Sequence, residues 1–121
     1  MKKILIVEDD LTTARIIQKA LENHGFATFI ASDGQIGLQT LNNSPDFNLI
    51  ISDMQMPNLN GQELIEAIQK TPELKKIPLI LISGIVSLKQ ISNVLENGAS
   101  RFLPKPLDIK YLIKCTNEVI I

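Results

Sequence analysis

Polar side chains that can handle a phosphoryl group follow four of the short apolar runs in this chain. Glu8 and Asp9 come after the first of these runs, and Asp53 closes the second. Ser83 ends the third run, and Lys105 comes directly after the last. If the runs are parallel strands of one sheet, their carboxyl ends meet at one edge, where open α/β sheets bind ligands. The sequence therefore predicts that carboxylates, a hydroxyl and an ammonium group meet there as a phosphate-handling site.

The composition fits a single globular domain over residues 1–121, which we expect to be cytoplasmic. Hydrophobic residues make up 45% of the chain and charged residues 21%, unlike a disordered protein. The net charge of −1 gives no basis for attracting nucleic acid or an anionic membrane. Cys115 is the single cysteine, which excludes an internal disulfide or a cysteine metal cage and suits a reducing compartment. No apolar stretch approaches the length of a membrane span.

Two hydrophobic periods alternate along the chain. Five short runs rich in Ile, Leu and Val predict strands at Ile4–Val7, Ala27–Ala31, Leu49–Ser52, Leu79–Ser83 and Arg101–Leu103. Between them, apolar residues recur three and four apart, the spacing of amphipathic helices. Examples of these stripes are Ala14, Ile16, Ile17 and Leu21 in the first helix, and Leu88, Ile91 and Leu95 in the fourth. The second helix is the shortest, from Ile36 to Leu41.

Five strand–helix units with right-handed crossovers predict an α/β fold, a parallel sheet covered on both faces by helices. The runs from Ile4, Leu49 and Leu79 are almost uniformly apolar, as central parallel strands are. The run Ala27–Ala31 alternates more and is the expected edge strand.

Four segments of the chain resemble the response-regulator receiver domain, also called CheY-like. These segments are Ile4–Asp10 (ILIVEDD), Asp53–Gly61 (DMQMPNLNG), Leu81–Gly84 (LISG) and Gly98–Pro106 (GASRFLPKP). Each is a weak signal alone, but together they span the chain in the order and spacing of the family. The resemblance implies a flavodoxin-like (βα)5 three-layer sandwich with strand order 2-1-3-4-5. It also implies a role in two-component signalling, with phosphoryl transfer from a sensor histidine kinase or a histidine phosphotransfer protein.

The resemblance implies that Asp53 is the phosphoacceptor, a carboxylate nucleophile that forms an acyl phosphate. Asp9 and Asp53 would bind Mg²⁺ directly, with the backbone carbonyl of Gln55 as a third ligand and Glu8 acting through bound water. The residue types suit this cofactor, because carboxylate oxygens favour Mg²⁺ over zinc. Crowded carboxylates also repel one another, which adds to the attraction for a cation.

The remaining family positions would complete a phosphate site and a switch. Lys105 would contact the phosphoryl oxygens, and Ser83 would donate its hydroxyl to another of them. Gly84 leaves room for the phosphate, and Phe102 stands where an aromatic side chain changes rotamer. Pro106 matches a bond that is cis in the family. Ser83, Gly84 and Phe102 replace the commoner threonine, alanine and tyrosine.

Positions Gln55 and Ile85 tune the lifetime of the acyl phosphate in the family. The apolar Ile85 predicts a long-lived phosphate. The output would be a change in the surface of the fourth helix, last strand and last helix, where a downstream protein or a second copy binds. The surface residues expected there are Lys89, Gln90, Phe102, Lys110, Tyr111 and Lys114.

Three other functions compete with this interpretation. An aspartate-nucleophile phosphatase or phosphotransferase would need a second acid at the position of Gln55, and an amide cannot act as a general acid. A flavodoxin-like cofactor binder would need a phosphate-cradling loop after Val7, which the sequence lacks. A receiver fold that only binds partners is disfavoured by the complete set of acidic residues, Ser83 and Lys105. We therefore expect a signalling module rather than an enzyme.

Overall fold

The computed structural model describes residues 1–84 and 87–121, and its five strands alternate with five helices. The strands are β1 Lys3–Val7, β2 Ala27–Ala31, β3 Leu49–Asp53, β4 Leu79–Ser83 and β5 Arg101–Pro104. The helices are α1 Leu11–Asn23, α2 Gly34–Asn43, α3 Gly61–Gln69, α4 Leu88–Glu96 and α5 Ile109–Val119. The predicted strands are thus confirmed to within one residue at each end. The second helix extends two residues beyond the predicted range at each end, and Asp33 caps its start at Gly34.

The strands form one parallel sheet in the order β2-β1-β3-β4-β5, which confirms the α/β fold class and the edge position of β2. The register fixes which residues share a level at the carboxyl edge. Val7 lies beside Ser52, Ser52 beside Leu81, and Leu81 beside Phe102. Glu8 follows Val7 along β1, and Asp53 follows Ser52 along β3. These two carboxyl groups therefore leave the sheet at the same level.

Alternate residues of the central strands enter two separate cores. Leu5, Ile50 and Leu81 belong to a core that also takes buried side chains from α2, α3 and α4. Ile6 and Ile51 belong to the core on the opposite face, which is covered by α1 and α5. The structure is therefore a three-layer sandwich in which β1, β3 and β4 are covered on both faces.

Two predicted apolar stripes face outwards in part. Ile16 on α1 is 54% exposed, although Ala14, Ile17 and Leu21 are buried as expected. On α4, Leu88 is 87% exposed and Leu95 is 43% exposed, whereas Val94 is buried. The helices are where the spacing predicts them, but the stripe of α4 does not form core.

None of the helices in the described ranges combines the length and the apolar content that crossing a bilayer requires.

Candidate functional site

The carboxyl ends of β1, β3 and β5 bring two acids and a lysine into contact. The Nζ of Lys105 donates a hydrogen bond to Oδ2 of Asp53 at 3.2 Å and lies 3.8 Å from Oε1 of Glu8. Asp53 is 7% exposed and Glu8 4%, while the lysine side chain is 35% exposed. One ammonium group that reaches in from solvent thus faces two carboxyl groups rooted in the sheet.

Glu8 is the most constrained group of this site. Its Oε1 is buried and accepts no hydrogen bond. Burial and, after it, the neighbouring carboxyl of Asp53 raise the pKa of Glu8 to about 8, although the positive charge of Lys105 opposes the shift. In the metal-free protein at neutral pH, Glu8 therefore holds a proton, because burial and crowding penalise its charged form.

Asp9 completes an acidic cluster, and Asp10 lies outside it. Ligand oxygens of Glu8, Asp9 and Asp53 lie within 4.8 Å of one another. Asp10 instead caps α1, accepting hydrogen bonds from the backbone N–H of Thr12 and from the hydroxyl of Thr13 at 2.6 Å. The Thr13 hydrogen bond lowers the pKa of Asp10. Asp10 therefore stabilises the start of α1 and is not one of the three residues of the acidic cluster.

The donor set of this cluster fits Mg²⁺. It offers carboxylate oxygens from three residues, and one of these oxygens is buried without a hydrogen-bond partner. A hard divalent cation prefers such oxygens, and it would offset the negative charge that is crowded there. Gln55, the predicted source of a carbonyl ligand, is exposed and lies two residues beyond Asp53.

The other predicted residues lie around the same edge. Ser83 is fully buried at the end of β4, beside Pro104 of β5 in the register. A Cβ on Gly84 would lie 3.8 Å from the Cβ of Lys105, so this glycine faces the lysine. Phe102 is half-buried and packs against the core under α2, α3 and α4.

The Lys105–Pro106 peptide bond is cis, the isomer that the resemblance implied. Ile85, where a long phosphate lifetime was predicted, lies outside the described residues.

The connection from β3 to α3, residues 54–60, makes a contact that the sequence did not predict. The side-chain amide of Asn58 donates a hydrogen bond to Oδ2 of Asp33 at 2.8 Å. The dipeptide Asp33-Gly34 by itself predicts no more than a turn, and the partners are 25 residues apart. The one local signal is the capping potential of an aspartate before a helix, which does not identify a second partner.

The chain is similar to known proteins over most of its length. The family model described as response regulator receiver domain matches residues 4–117. A probable transcriptional regulator, ycf29 of Pyropia yezoensis, is 35% identical over 98% of this chain, which spans 53% of that protein. The two-component response regulator ORR3 of Oryza sativa is 30% identical over 97% of this chain and 89% of its own length.

A solved structure agrees in fold with this chain. The signal receiver domain of a signal transduction histidine kinase from Syntrophus aciditrophicus superposes with a TM-score of 0.90 at 31% identity. The superposition covers 98% of this chain and 89% of that domain.

Proposed function

This chain belongs to the response regulator receiver domain family, and we propose that in it Asp53 accepts a phosphoryl group from a histidine kinase or a histidine phosphotransfer protein. Receiver domains of this family serve in two-component signalling, and this chain is one of them. The observation that carries the proposal is the meeting of Lys105 with Asp53 at 3.2 Å inside the acidic cluster. A cytoplasmic location, as one domain over residues 1–121, belongs to the same proposal.

Each residue of the site has a separate part in the proposed reaction. An oxygen of Asp53 attacks the phosphorus of the donor and forms the acyl phosphate, while the donor nitrogen leaves with the old bonding pair. Lys105 holds a positive charge beside the incoming phosphoryl oxygens, and the Ser83 hydroxyl donates to another of them. Asp9, Asp53 and the backbone carbonyl of Gln55 would hold Mg²⁺, with Glu8 acting through bound water, and the ion would supply positive charge for the transfer.

The experiment for this proposal is intact mass after incubation with acetyl phosphate and Mg²⁺. We expect the wild-type chain to gain one phosphoryl group and Asp53→Asn to gain none, because an amide is not a nucleophile for this step. Asp46→Asn is the matched control, since Asp46 is an exposed aspartate that is paired with Lys3. Full labelling of Asp53→Asn would show that the acceptor is another residue.

We also propose that phosphorylation changes the face formed by α4, β5 and α5. Phe102 lies in register with Leu81, two residues before Ser83, so movement of Ser83 towards phosphate leaves space that Phe102 can fill. Two packings of similar free energy suffice, provided that phosphate makes contacts in only one of them. The exposed lysines of this face, Lys89, Lys110 and Lys114, suit an acidic protein partner or a complementary second copy.

Amide NMR shifts with and without beryllofluoride and Mg²⁺ test this output. We expect shifts to extend from the loops around Asp53 into α4, β5 and α5. Shifts confined to the loops around Asp53 would mean that this face does not report phosphorylation, whatever the result of the labelling experiment.

A further inference from the structure

The loop between β3 and α3, residues 54–60, carries the carbonyl of Gln55 and is fixed to the sheet at its base, where the backbone N–H of Met54 donates to the carbonyl of Ile82 at 2.8 Å. The backbone N–H of Gly61 donates to the carbonyl of Met54 at 2.8 Å, which closes the loop where it leaves the sheet. A tight turn brings the N–H of Leu59 to 2.7 Å from the carbonyl of Pro57. Beyond this base, Met56 and Leu59 pack against the core under α2, α3 and α4, and a hydrogen bond from Asn58 ties the far end of the loop to a further element.

That element is the start of α2, where Asp33 uses its two carboxylate oxygens for two purposes. Oδ1 accepts a hydrogen bond from the backbone N–H of Ile36 at 2.8 Å and caps the helix. Oδ2 accepts the hydrogen bond from the Asn58 amide, also at 2.8 Å. The carboxylate is 8% exposed, and these hydrogen bonds lower its pKa, so it remains charged at neutral pH. A buried, charged acceptor makes a strong hydrogen bond with the loop.

The loop backbone is shaped to make this contact. Asn58 has a φ of 69°, in the left-handed region that few residues other than glycine adopt. The next residue, Leu59, places its carbonyl oxygen directly against Gly34, where any Cβ would overlap with it. Two consecutive loop residues are thus held against two consecutive residues at the start of α2. Strain of this kind persists where the surrounding structure over-determines a conformation, often beside a functional site.

We propose that Asp33 and Asn58 are positioning residues that hold the β3–α3 loop ready to bind Mg²⁺. Neither residue belongs to the acidic cluster; both act through the loop that presents the Gln55 carbonyl. The inference rests on the proposed function, because that function assigns the carbonyl to the metal. Groups that orient metal ligands commonly change metal affinity about 10-fold or more when removed.

Asn58→Gly tests the proposal without a change of charge, because glycine keeps the left-handed backbone and removes the amide. We expect the Mg²⁺ dissociation constant, from an NMR titration, to rise about tenfold. In the metal-free protein, we expect amide hydrogen exchange in residues 54–60 to become faster. The control is Asn43→Gly at the exposed end of α2, which should leave both measurements unchanged. Wild-type affinity and exchange in folded Asn58→Gly would overturn the proposal.

Exchanging the two side chains provides a rescue. Asn58→Asp alone removes the amide donor and places two carboxylates next to each other. We expect this variant to bind Mg²⁺ more weakly, whereas the added negative charge by itself would strengthen binding. Adding Asp33→Asn restores a donor and an acceptor at the wild-type net charge, and asparagine also caps helices. We expect this double variant to bind Mg²⁺ within about twofold of wild type.

A double variant no better than Asn58→Asp would overturn the positioning role. The metal-free exchange rates and the Mg²⁺ titration require no phosphorylation. If they change as expected while Asp53 remains unlabelled by acetyl phosphate, the positioning role stands and the proposed phosphoacceptor function fails.

Discussion

Replacing Glu8 by glutamine measures the destabilisation caused by ionising this buried carboxyl group in the metal-free site. Glu8 is 4% exposed, its Oε1 accepts no hydrogen bond, and its pKa is raised to about 8 from an ordinary value of 4.5. Glutamine has nearly the shape of the protonated glutamic acid but cannot ionise. We therefore expect Glu8→Gln to resemble wild type in mildly acidic solution and to be the more stable protein in alkaline solution.

The size of the effect follows from proton linkage. The raised pKa means that the folded protein holds the Glu8 proton more tightly than the unfolded chain does. The resulting contribution to the unfolding free energy is fully present below pH 4.5 and is lost as pH rises to about 8. At roughly 1.4 kcal/mol per pKa unit, the unfolding free energy of the wild type falls by at most about 3 kcal/mol between about pH 6 and about pH 9. For a domain of this size, that corresponds to roughly 10 °C in melting temperature.

The assay is thermal or urea unfolding of the two proteins in EDTA across this pH range. We expect the difference in unfolding free energy to grow with pH in favour of Glu8→Gln. The control is Glu73→Gln, which alters an exposed glutamate and should follow the wild-type pH curve. Parallel curves for wild type and Glu8→Gln would refute the argument that burial and Asp53 keep Glu8 protonated.

Two further predictions concern the same edge of the sheet. Asp9→Asn should weaken Mg²⁺ binding and raise the melting temperature in EDTA, because it removes one charge from the repulsive cluster; an unchanged Mg²⁺ titration would place the metal elsewhere. Gly61→Ala should lower the unfolding free energy by about 1–3 kcal/mol, because a Cβ would lie 2.8 Å from the carbonyl oxygen of Asp53. Gly84→Ala, with its nearest contact at 3.8 Å from Lys105, is the control in urea unfolding and should lose little stability.

Sequence reasoning located the strands well because the sheet is buried on both faces. In β1, β3 and β4, nearly every residue must be apolar, and the pattern stops where the chain reaches the solvent-facing edge. That stop marks Asp53 and Glu8, so the acidic cluster was predictable from where polar residues begin. Predicting the strand order required the family resemblance, because the hydrophobic period alone does not show which strands are neighbours.

Other features could not be read from the sequence, for two physical reasons. Periodicity shows which side chains share a helix face but not what that face contacts. The exposure of Leu88 and Leu95 on α4 was therefore not predictable from their spacing. A hydrogen bond between distant loops leaves no periodic trace. The contact between Asp33 and Asn58 depends on how α2 and the β3–α3 loop approach each other, which is a property of the folded chain.

The shallow packing of α4, which is part of the proposed output face, bears on how related signalling proteins can avoid cross-talk. Within Leu88–Glu96, all of which the structure describes, Val94 is the one buried residue. Exchanges at the other positions of this helix leave no cavity in the core, so the fold sets few limits on their chemistry. Partner choice is a difference in affinities, and it can be rewritten on such a face by small attractive and repulsive changes. One scaffold can in this way be duplicated and insulated from its copies without rebuilding the acidic site.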